Sequence, residues 1–598
     1  MISTQSGEAP QRLLRVWPGI VLVVLQWTAR FGIKAVIPGI EGFSLSMMVS
    51  FAFTILLIVW WVFFSRAKWR ERLGGLAFIA LALGVTWLLR HDSMWVAWLV
   101  AYAVPFLSLA FVLWAVLTRR LPDRLRHATM AATILIACGA WLLLRQDGIN
   151  GDHKATFGWR WSASAEERLL AQTQADQTNT PSTEPTAVAP SPFPSASASP
   201  TASAAPSANP AVATQRPADW PGFRGAGRDG IVRRVRVNTD WSTSPPVQLW
   251  RRPVGPGWSS FAVDGDLFYT QEQRGDNEVV ACYKMSTGQP VWSHRDSARF
   301  FESNAGAGPR ATPTLENGRV YTFGATGILN ALDAKTGAVV WSRNVASETN
   351  TKVPFWGFSG SPLVMDGLVI VAASGQLAAY DAATGNRRWL GPNAGGSYSS
   401  PHAVAIDGVT QVLLMSGAGI TSISPTDGKQ LWQHAWSGNS IVQPALSQDG
   451  DLLITSQEGG ARRLALTHDT NGWTATERWT SNALKPYFND FVIHNGHAFG
   501  FDGRILSCID LKDGQRKWKG GRYGNGQLVL LADQDLLLVL SEEGEMVLVR
   551  ATPDQFTEIA KLPAIQGKTW NHPVLVRDVL LVRNSEEMAA FRLPLAQN

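Results

Sequence analysis

Apolar positions near the start of the chain gather into five stretches, about Val16 to Ile37, Phe43 to Ser65, Leu73 to Leu89, Met94 to Leu117 and His127 to Leu144. Most approach the roughly 20 residues that a helix needs to cross a bilayer core, so about five transmembrane helices are predicted within residues 1–150. Arg30 and Lys34 interrupt the first stretch, and Pro18 and Pro38 bracket it. It reads either as a span whose charges snorkel to an interface or as a re-entrant segment. After about residue 218 the pattern changes to short alternating strands separated by turn residues, which predicts an all-β domain over residues 218–598.

Between these regions, residues 151–217 read as a linker. The Pro/Ala/Ser-rich part, 172–215, has almost no large apolar residues to offset chain entropy and is predicted to be disordered. Such a tether would hold the following domain off the bilayer and let it reorient.

The all-β region repeats. ACYKMSTGQPVW ends at Trp292, ALDAKTGAVVW at Trp341, AAYDAATGNRRW at Trp389, TSISPTDGKQLW at Trp432 and SCIDLKDGQRKW at Trp518. Each copy is a strand, a tight T-G or D-G turn whose glycine supplies positive φ, and a second strand that closes on tryptophan. Degenerate copies close at Trp479 and near Ile559, and VQLW closes at Trp250, giving spacings of 39 to 49 residues. That period belongs to four-stranded propeller blades. Trp250 lacks preceding inner strands, whereas the C-terminal copy NHPVLVRDVLLVRNSEEMAAFRL has three strands and no closing one. The two ends are therefore expected to complete one blade, setting the fold as an eight-bladed β-propeller after an α-helical transmembrane region. The tryptophans are expected to dock each blade on its neighbour.

Charge then fixes a topology. Arg12 and Arg15 precede the first span, Arg66, Lys68, Arg70 and Arg72 follow the second, and Arg119, Arg120, Arg124 and Arg126 follow the fourth, while the loop after the third offers Arg90 alone. The positive-inside rule gives a cytoplasmic N-terminus, and an odd number of spans exports the propeller to the periplasmic side of a bacterial inner membrane, with the lipid bilayer as a partner. The net charge of +6 is explained by these loops and does not indicate nucleic acid. The three cysteines, Cys138, Cys282 and Cys508, form no disulfide framework and are expected as buried thiols.

The A-x-D-x-x-T-G-x-x-x-W repeats resemble the tryptophan-docking motif of pyrroloquinoline-quinone (PQQ) dehydrogenases and of the BamB family of outer-membrane protein assembly. DWPGFRGAGRDGI, Asp219 to Ile231, resembles the start of many bacterial PQQ-like repeat proteins. The resemblance covers about Ala218 to Asn598 and implies a fold that carries both enzymes and scaffolds.

Ligands of such propellers are expected at the channel mouth, where aligned repeats place a ring of Ser260, Thr312, Ser361, Ser400, Gln443, Asp490, Gln527 and His572, one per blade. A water-filled channel has a polar lining whether or not anything binds. The departures from uniformity are Arg310, Asn489, Asp490, Asn571 and His572, which could converge on an anionic planar ligand, with Trp258 or Trp570 as a stacking surface. Asp490 is the candidate general base. The resemblance to quinoprotein dehydrogenases adds PQQ as the candidate cofactor and calcium as its metal, with Asn489 and Asp490 as candidate ligands and Glu272 or Asp502 as a second carboxylate. Adjacent cysteines and a C-x-x-C-H haem site are absent from the sequence. The leading expectation is a binding or scaffolding propeller that takes a small ligand at its channel or a periplasmic protein partner. The alternative is a membrane-bound PQQ-dependent alcohol or sugar dehydrogenase that donates electrons to quinone.

Overall fold

A computed structural model describes residues 14–37, 39–150, 154–179, 218–438, 441–470 and 472–596. Five long apolar helices come first: α1 (Trp17–Val36), α2 (Gly39–Val59, continued by a π turn Trp60–Phe64), α3 (Trp69–Leu89), α4 (Val96–Leu117) and α5 (Asp123–Gly139). Each is long and apolar enough to cross a membrane. Pro18 is accommodated in the first turn of α1, where its missing N–H has no intrahelical partner to lose. Arg30 does not break this helix: its guanidinium donates to the Ala101 carbonyl at 3.1 Å and lies 5.2 Å from the Tyr102 ring centroid. Lys34 sits over the Phe43 ring.

One end of the bundle gathers Arg15, Ser65, Lys68, Glu71, Asp123 and Arg126, with Arg126 forking onto buried Glu71 through two 2.7 Å bonds. The other end meets the propeller. There the chain leaves α5 into a hairpin, β1 (Leu144–Ile149) with β2 (Ala155–Trp159), followed by α6 (Ala165–Asn179). Within the linker read at 151–217, residues 154–179 are therefore folded, including 172–179 of the stretch expected to be disordered; residues 151–153 and 180–217 lie outside the described residues. Nor is the propeller held off the bundle. Its finger Phe301–Ala307 grips the hairpin and α4: Ile149 N–H donates to Asn304 O at 2.9 Å, Gln146 to Ser303 O at 3.1 Å, and Trp98 Nε1 to Asn304 Oδ1 at 3.4 Å. Glu166 of α6 pairs with Arg299 at 2.9 Å. Polar groups of the hairpin that would otherwise need water are satisfied by this loop.

The β domain is an eight-bladed propeller of four-stranded antiparallel blades, at 262–296, 314–344, 363–390, 402–434, 445–481, 492–522, 527–563 and 574–592. The eighth is closed by Val247–Pro253, with Trp250 opposite Ala590. Cys138, Cys282 and Cys508 are buried free thiols.

Six closing tryptophans, Trp250, Trp292, Trp341, Trp389, Trp479 and Trp518, donate Nε1 to a carbonyl of the next blade at 2.7–3.0 Å. Trp432 differs: its Nε1 donates to Gln411 Oε1 in its own blade, because the following blade has a long hairpin, Gly460–Ser481, in place of a T-G turn, although the ring still packs on Leu452 and Leu464. The turn glycines are needed twice. Gly385 has φ +71°, and a Cβ there would lie 2.6 Å from the Trp341 ring of the preceding blade. Gly367 has the same φ, +72°, but faces open space. Gly385→Ala should therefore cost about 2–4 kcal/mol, the sum of left-handed strain and a displaced indole. Gly367→Ala should cost about 1 kcal/mol from the backbone alone. Urea unfolding of the two variants measures the difference, and equal midpoints would refute the stacking account.

Candidate binding chamber at the propeller mouth

The predicted ring exists, and its first role is mechanical. Backbone N–H groups donate from one blade's ring residue to the side chain of the next: Ser260 to Thr312 Oγ1 (3.1 Å), Thr312 to Ser361 Oγ (2.9 Å), Ser361 to Ser400 Oγ (2.9 Å), Gln443 to Asp490 Oδ1 (3.1 Å) and Asp490 to Gln527 Oε1 (3.3 Å). With the Gln443 amide oriented to satisfy both its atoms, Ser400 N–H donates to it at 3.0 Å. Ser260 Oγ donates to His572 O at 2.7 Å and so ties blade one to blade eight. The polar identity of most of these positions follows from this collar, which satisfies the N–H groups of six of the eight ring residues.

Above the collar lies a cavity of about 410 Å³. Its wall takes one residue per blade, always two before the ring residue: Trp258, Arg310, Ser359, Tyr398, Ile441, Phe488, Asn525 and Trp570. In extended chain, residues i and i−2 share a face, whereas i−1 turns away. Asn489 and Asn571, at i−1, accordingly do not line the chamber. Asn489 Oδ1 accepts from Tyr487 N–H at 3.1 Å, and Asn571 donates to Ser259 O at 2.7 Å. The i−2 rule was available from the alignment of the repeats and would have found the aromatic wall. That wall is continuous: Trp258 and Trp570 centroids are 4.8 Å apart, Trp570 and Phe488 4.9 Å, Phe488 and Tyr487 5.2 Å, and Trp356 reaches Tyr487 at 6.1 Å and Tyr398 at 4.8 Å. The roof is supplied by the membrane bundle and hairpin, through Phe43, Ser44, Trp95, Trp98, Ile149 and Asn150. No sequence signal links these residues to the propeller.

The floor is the segment Asp219 to Ile231. Trp220 pairs with Val263 of blade one, Ile231 lies parallel to the innermost strand of blade seven, and between them the chain crosses the channel. Arg224 donates to Phe491 O at 2.5 Å, and Arg228 to Pro362 O and Ser361 O at 2.9 and 3.1 Å. Phe223 lines the chamber and meets the His572 ring edge-on at 5.0 Å. The opening motif is thus a plug.

Asp490 faces this plug. Its carboxylate accepts from His572 Nε2 at 3.0 Å and lies 3.6 Å from Arg224. Burial alone would raise its pKa, but Arg224 and His572 outweigh burial and hold it below the ordinary carboxylate range. A carboxylate held ionised by a guanidinium and a hydrogen bond from an imidazole is a weak proton acceptor, so Asp490 serves as the counter-charge of the plug. Burial and neighbouring Arg224 lower Arg228 to about 10, and burial lowers His402 to about 3, so His402 is a neutral imidazole beside the two arginines. Lys568, lowered to about 8 by burial, lies 4.4 Å from the Trp570 ring centroid and donates to Ile149 O at 2.8 Å.

The calcium-held quinone fails a fit test on these donors. Both Asp490 oxygens and Asn489 Oδ1 are already engaged by donors of the chain. The further carboxylates are elsewhere: Glu272 is tied to Arg274 and Tyr283, and Asp502 to Arg516 and Lys519. Among the described residues no cluster of His, Cys, Asp or Glu could hold a metal ion.

The profile described as outer membrane protein assembly factor BamB matches residues 247–389 and 276–520. The chain carries an eight-bladed β-propeller whose repeats are similar to those of BamB and of quinoprotein alcohol dehydrogenases, preceded by five helices long and apolar enough to cross a membrane. BamB of Yersinia pestis is 23% identical over 319 residues, 51% of this chain and 70% of that protein. The quinohemoprotein alcohol dehydrogenase ADH-IIG of Pseudomonas putida is 27% identical over 209 residues, 30% of this chain and 28% of that protein. The crystal structure of BamB from Moraxella catarrhalis aligns with a TM-score of 0.43 at 15% identity, over 59% of this chain and 99% of that one.

Proposed function

We propose that the chain is a binding or scaffolding module anchored in the bacterial inner membrane, with its propeller on the periplasmic side, and that the chamber at the propeller mouth is its ligand site. The observation that supports this reading most is the state of Asp490, the one carboxylate lining the chamber among the described residues. It is neutralised by the plug, while Trp258, Trp356, Tyr398, Tyr487, Phe488 and Trp570 give the wall an apolar, aromatic surface suited to binding. The opposite face, which carries the T-G turns, is left to a protein partner.

Adding PQQ and calcium to the purified full-length protein tests this against the dehydrogenase alternative. No quinone absorbance should stay with the protein, and no alcohol- or sugar-dependent dye reduction should appear; either signal would overturn the binding-module reading. The orientation is supported by the basic loops: Arg66, Lys68, Arg70, Arg72 and Arg119 to Arg126 belong to the bundle end remote from the propeller. A reporter fused after Asn598 should be active only in its periplasmic form. Cytoplasmic activity would mean that one span does not cross.

A further inference from the structure

The hairpin that follows α5 carries an aromatic surface that the protein itself does not cover. In β2, Phe157 and Trp159 share one face, with Gly158 between them. Phe157 turns that face to the bundle, its ring 5.5 Å from that of Tyr102 and 5.8 Å from that of Trp141. Trp159, one step further along the same face, stacks on Trp161 with centroids 5.3 Å apart and planes 14° from parallel. The two residues are 54% and 68% exposed. Tryptophans left that open forgo the burial that dominates the energetics of such side chains.

Arg160, between them, fixes the height of the pair. Its N–H donates to Leu143 O at 2.8 Å, and its Nη1 donates to Leu89 O at 3.1 Å. Leu89 ends the apolar segment Trp69–Leu89, and Leu143 ends the apolar segment Asp123–Leu143. Each segment has 21 residues, about 31 Å at about 1.5 Å per residue, which matches a hydrocarbon core of about 30 Å. Both carbonyls are therefore helix-end groups placed where the core gives way to headgroups. Trp159, Arg160 and Trp161 are held at that boundary, beside exposed Trp87 and Leu88 of the same helix end. Arg160 is exposed, and its other guanidinium donors meet no acceptor among the described residues.

We propose that Trp159, Arg160 and Trp161 form a phospholipid contact, in which the indole pair enters the headgroup layer of the periplasmic leaflet beside α3 and Arg160 takes a lipid phosphate. This rests on the reading of the helices as inner-membrane spans and adds a second point of attachment to the bilayer. An indole suits that layer because its body is apolar and its N–H polar, and a guanidinium fork matches a phosphate. Ile149 of the same hairpin holds Asn304 of the propeller, so the contact fixes the tilt of the β domain on the membrane.

The test places a nitroxide at Ala163→Cys, an exposed position beside the pair, in the full-length protein in phosphatidylcholine nanodiscs. Its collisions with a water-soluble nickel chelate are measured by electron paramagnetic resonance; the native thiols are buried. Leu81→Cys, on the exposed side of α3, and Lys335→Cys, on a T-G turn of the far propeller face, give the lipid and aqueous limits. The Ala163 label should collide about threefold less than the Lys335 label, as expected at the boundary between headgroups and acyl chains. Trp159→Ser with Trp161→Ser should bring it to the aqueous limit. Trp159→Tyr with Trp161→Tyr should keep most of the protection, which separates seating in the interface from the folding of the hairpin. Arg160→Gln should raise the collisions part of the way, and the parent in nanodiscs of phosphate-free digalactosyldiacylglycerol should match it. An aqueous Ala163 label in the parent, or protection that survives the loss of both tryptophans, overturns the proposal. If inorganic phosphate abolishes the effect of Arg160→Gln, Arg160 holds a free anion and the lipid contact is overturned. A Leu81 label as accessible as the Lys335 label overturns the membrane reading itself, so the two failures are distinguishable.

Discussion

Deleting residues 587–598 should open the propeller ring, so that protease releases both ends of the β domain together. The deletion removes the strand Glu587–Arg592, which is hydrogen-bonded to Val579–Arg583 on one side and to Val247–Pro253 on the other, and takes away buried Met588, Ala589, Ala590 and Phe591. Two strand edges lose their partners at once. Trp250→Ala should act in the same direction and cost about 3 kcal/mol, the lower end for a tryptophan truncation because the ring is half-buried. It also loses the stack on Phe268, 5.7 Å away, and the bond to Met285 O.

Arg583 is a second fastener. It is fully buried in blade eight, and it donates to Thr270 Oγ1, Gln271 O, Gly255 O and Gly257 O across the closure. Trp479→Ala, in a blade whose strands are contiguous in the chain, should loosen blade five locally and leave the ring closed. Limited proteolysis with mass spectrometry separates these cases. Independent cleavage of the two ends in the deletion protein would be evidence against a shared blade.

Replacing Asp490 by Asn should destabilise the propeller by about 3–5 kcal/mol, because it leaves buried Arg224 and Arg228 without their counter-charge. The pH dependence has a defined sign. A carboxylate whose folded pKa lies below its unfolded value of about 3.9 contributes stability that is present above that value and is lost as pH falls through the folded pKa. The parent protein should therefore lose stability more steeply than Asp490→Asn below about pH 4. Arg228→Met combined with Asp490→Asn should cost less than the sum of the single changes, since the excess charge falls with the counter-charge. Thermal unfolding of the four proteins across pH completes the cycle, and strict additivity would show that the plug and Asp490 are uncoupled.

Much of this architecture was legible in the residues because its causes are local. A run of apolar residues must form a helix to satisfy its backbone in lipid. A T-G or D-G step must turn, and its period with the closing tryptophan counts the blades. Even the shared blade was readable, since an unpaired strand at each end of a closed repeat has only one place to go. The ring from Ser260 to His572 followed from the same register.

The chamber was only half legible. The ring residues were found, but the wall belongs to the positions two residues earlier, and the candidates Asn489 and Asn571, one residue earlier, fall on the opposite face of the strand. Other features lay beyond any reading of spacing. Arg224 meets Phe491 across 267 residues, Trp98 meets Asn304 across 206, and Arg583 meets Gly255 across 328. Such contacts depend on how finished elements pack, and periodicity and turn chemistry act over only a few residues. Packing made the opening motif a plug, turned Asp490 from a candidate base into a counter-ion and set the propeller mouth on the helix ends, because only in the assembled ring do these groups share one low-dielectric space.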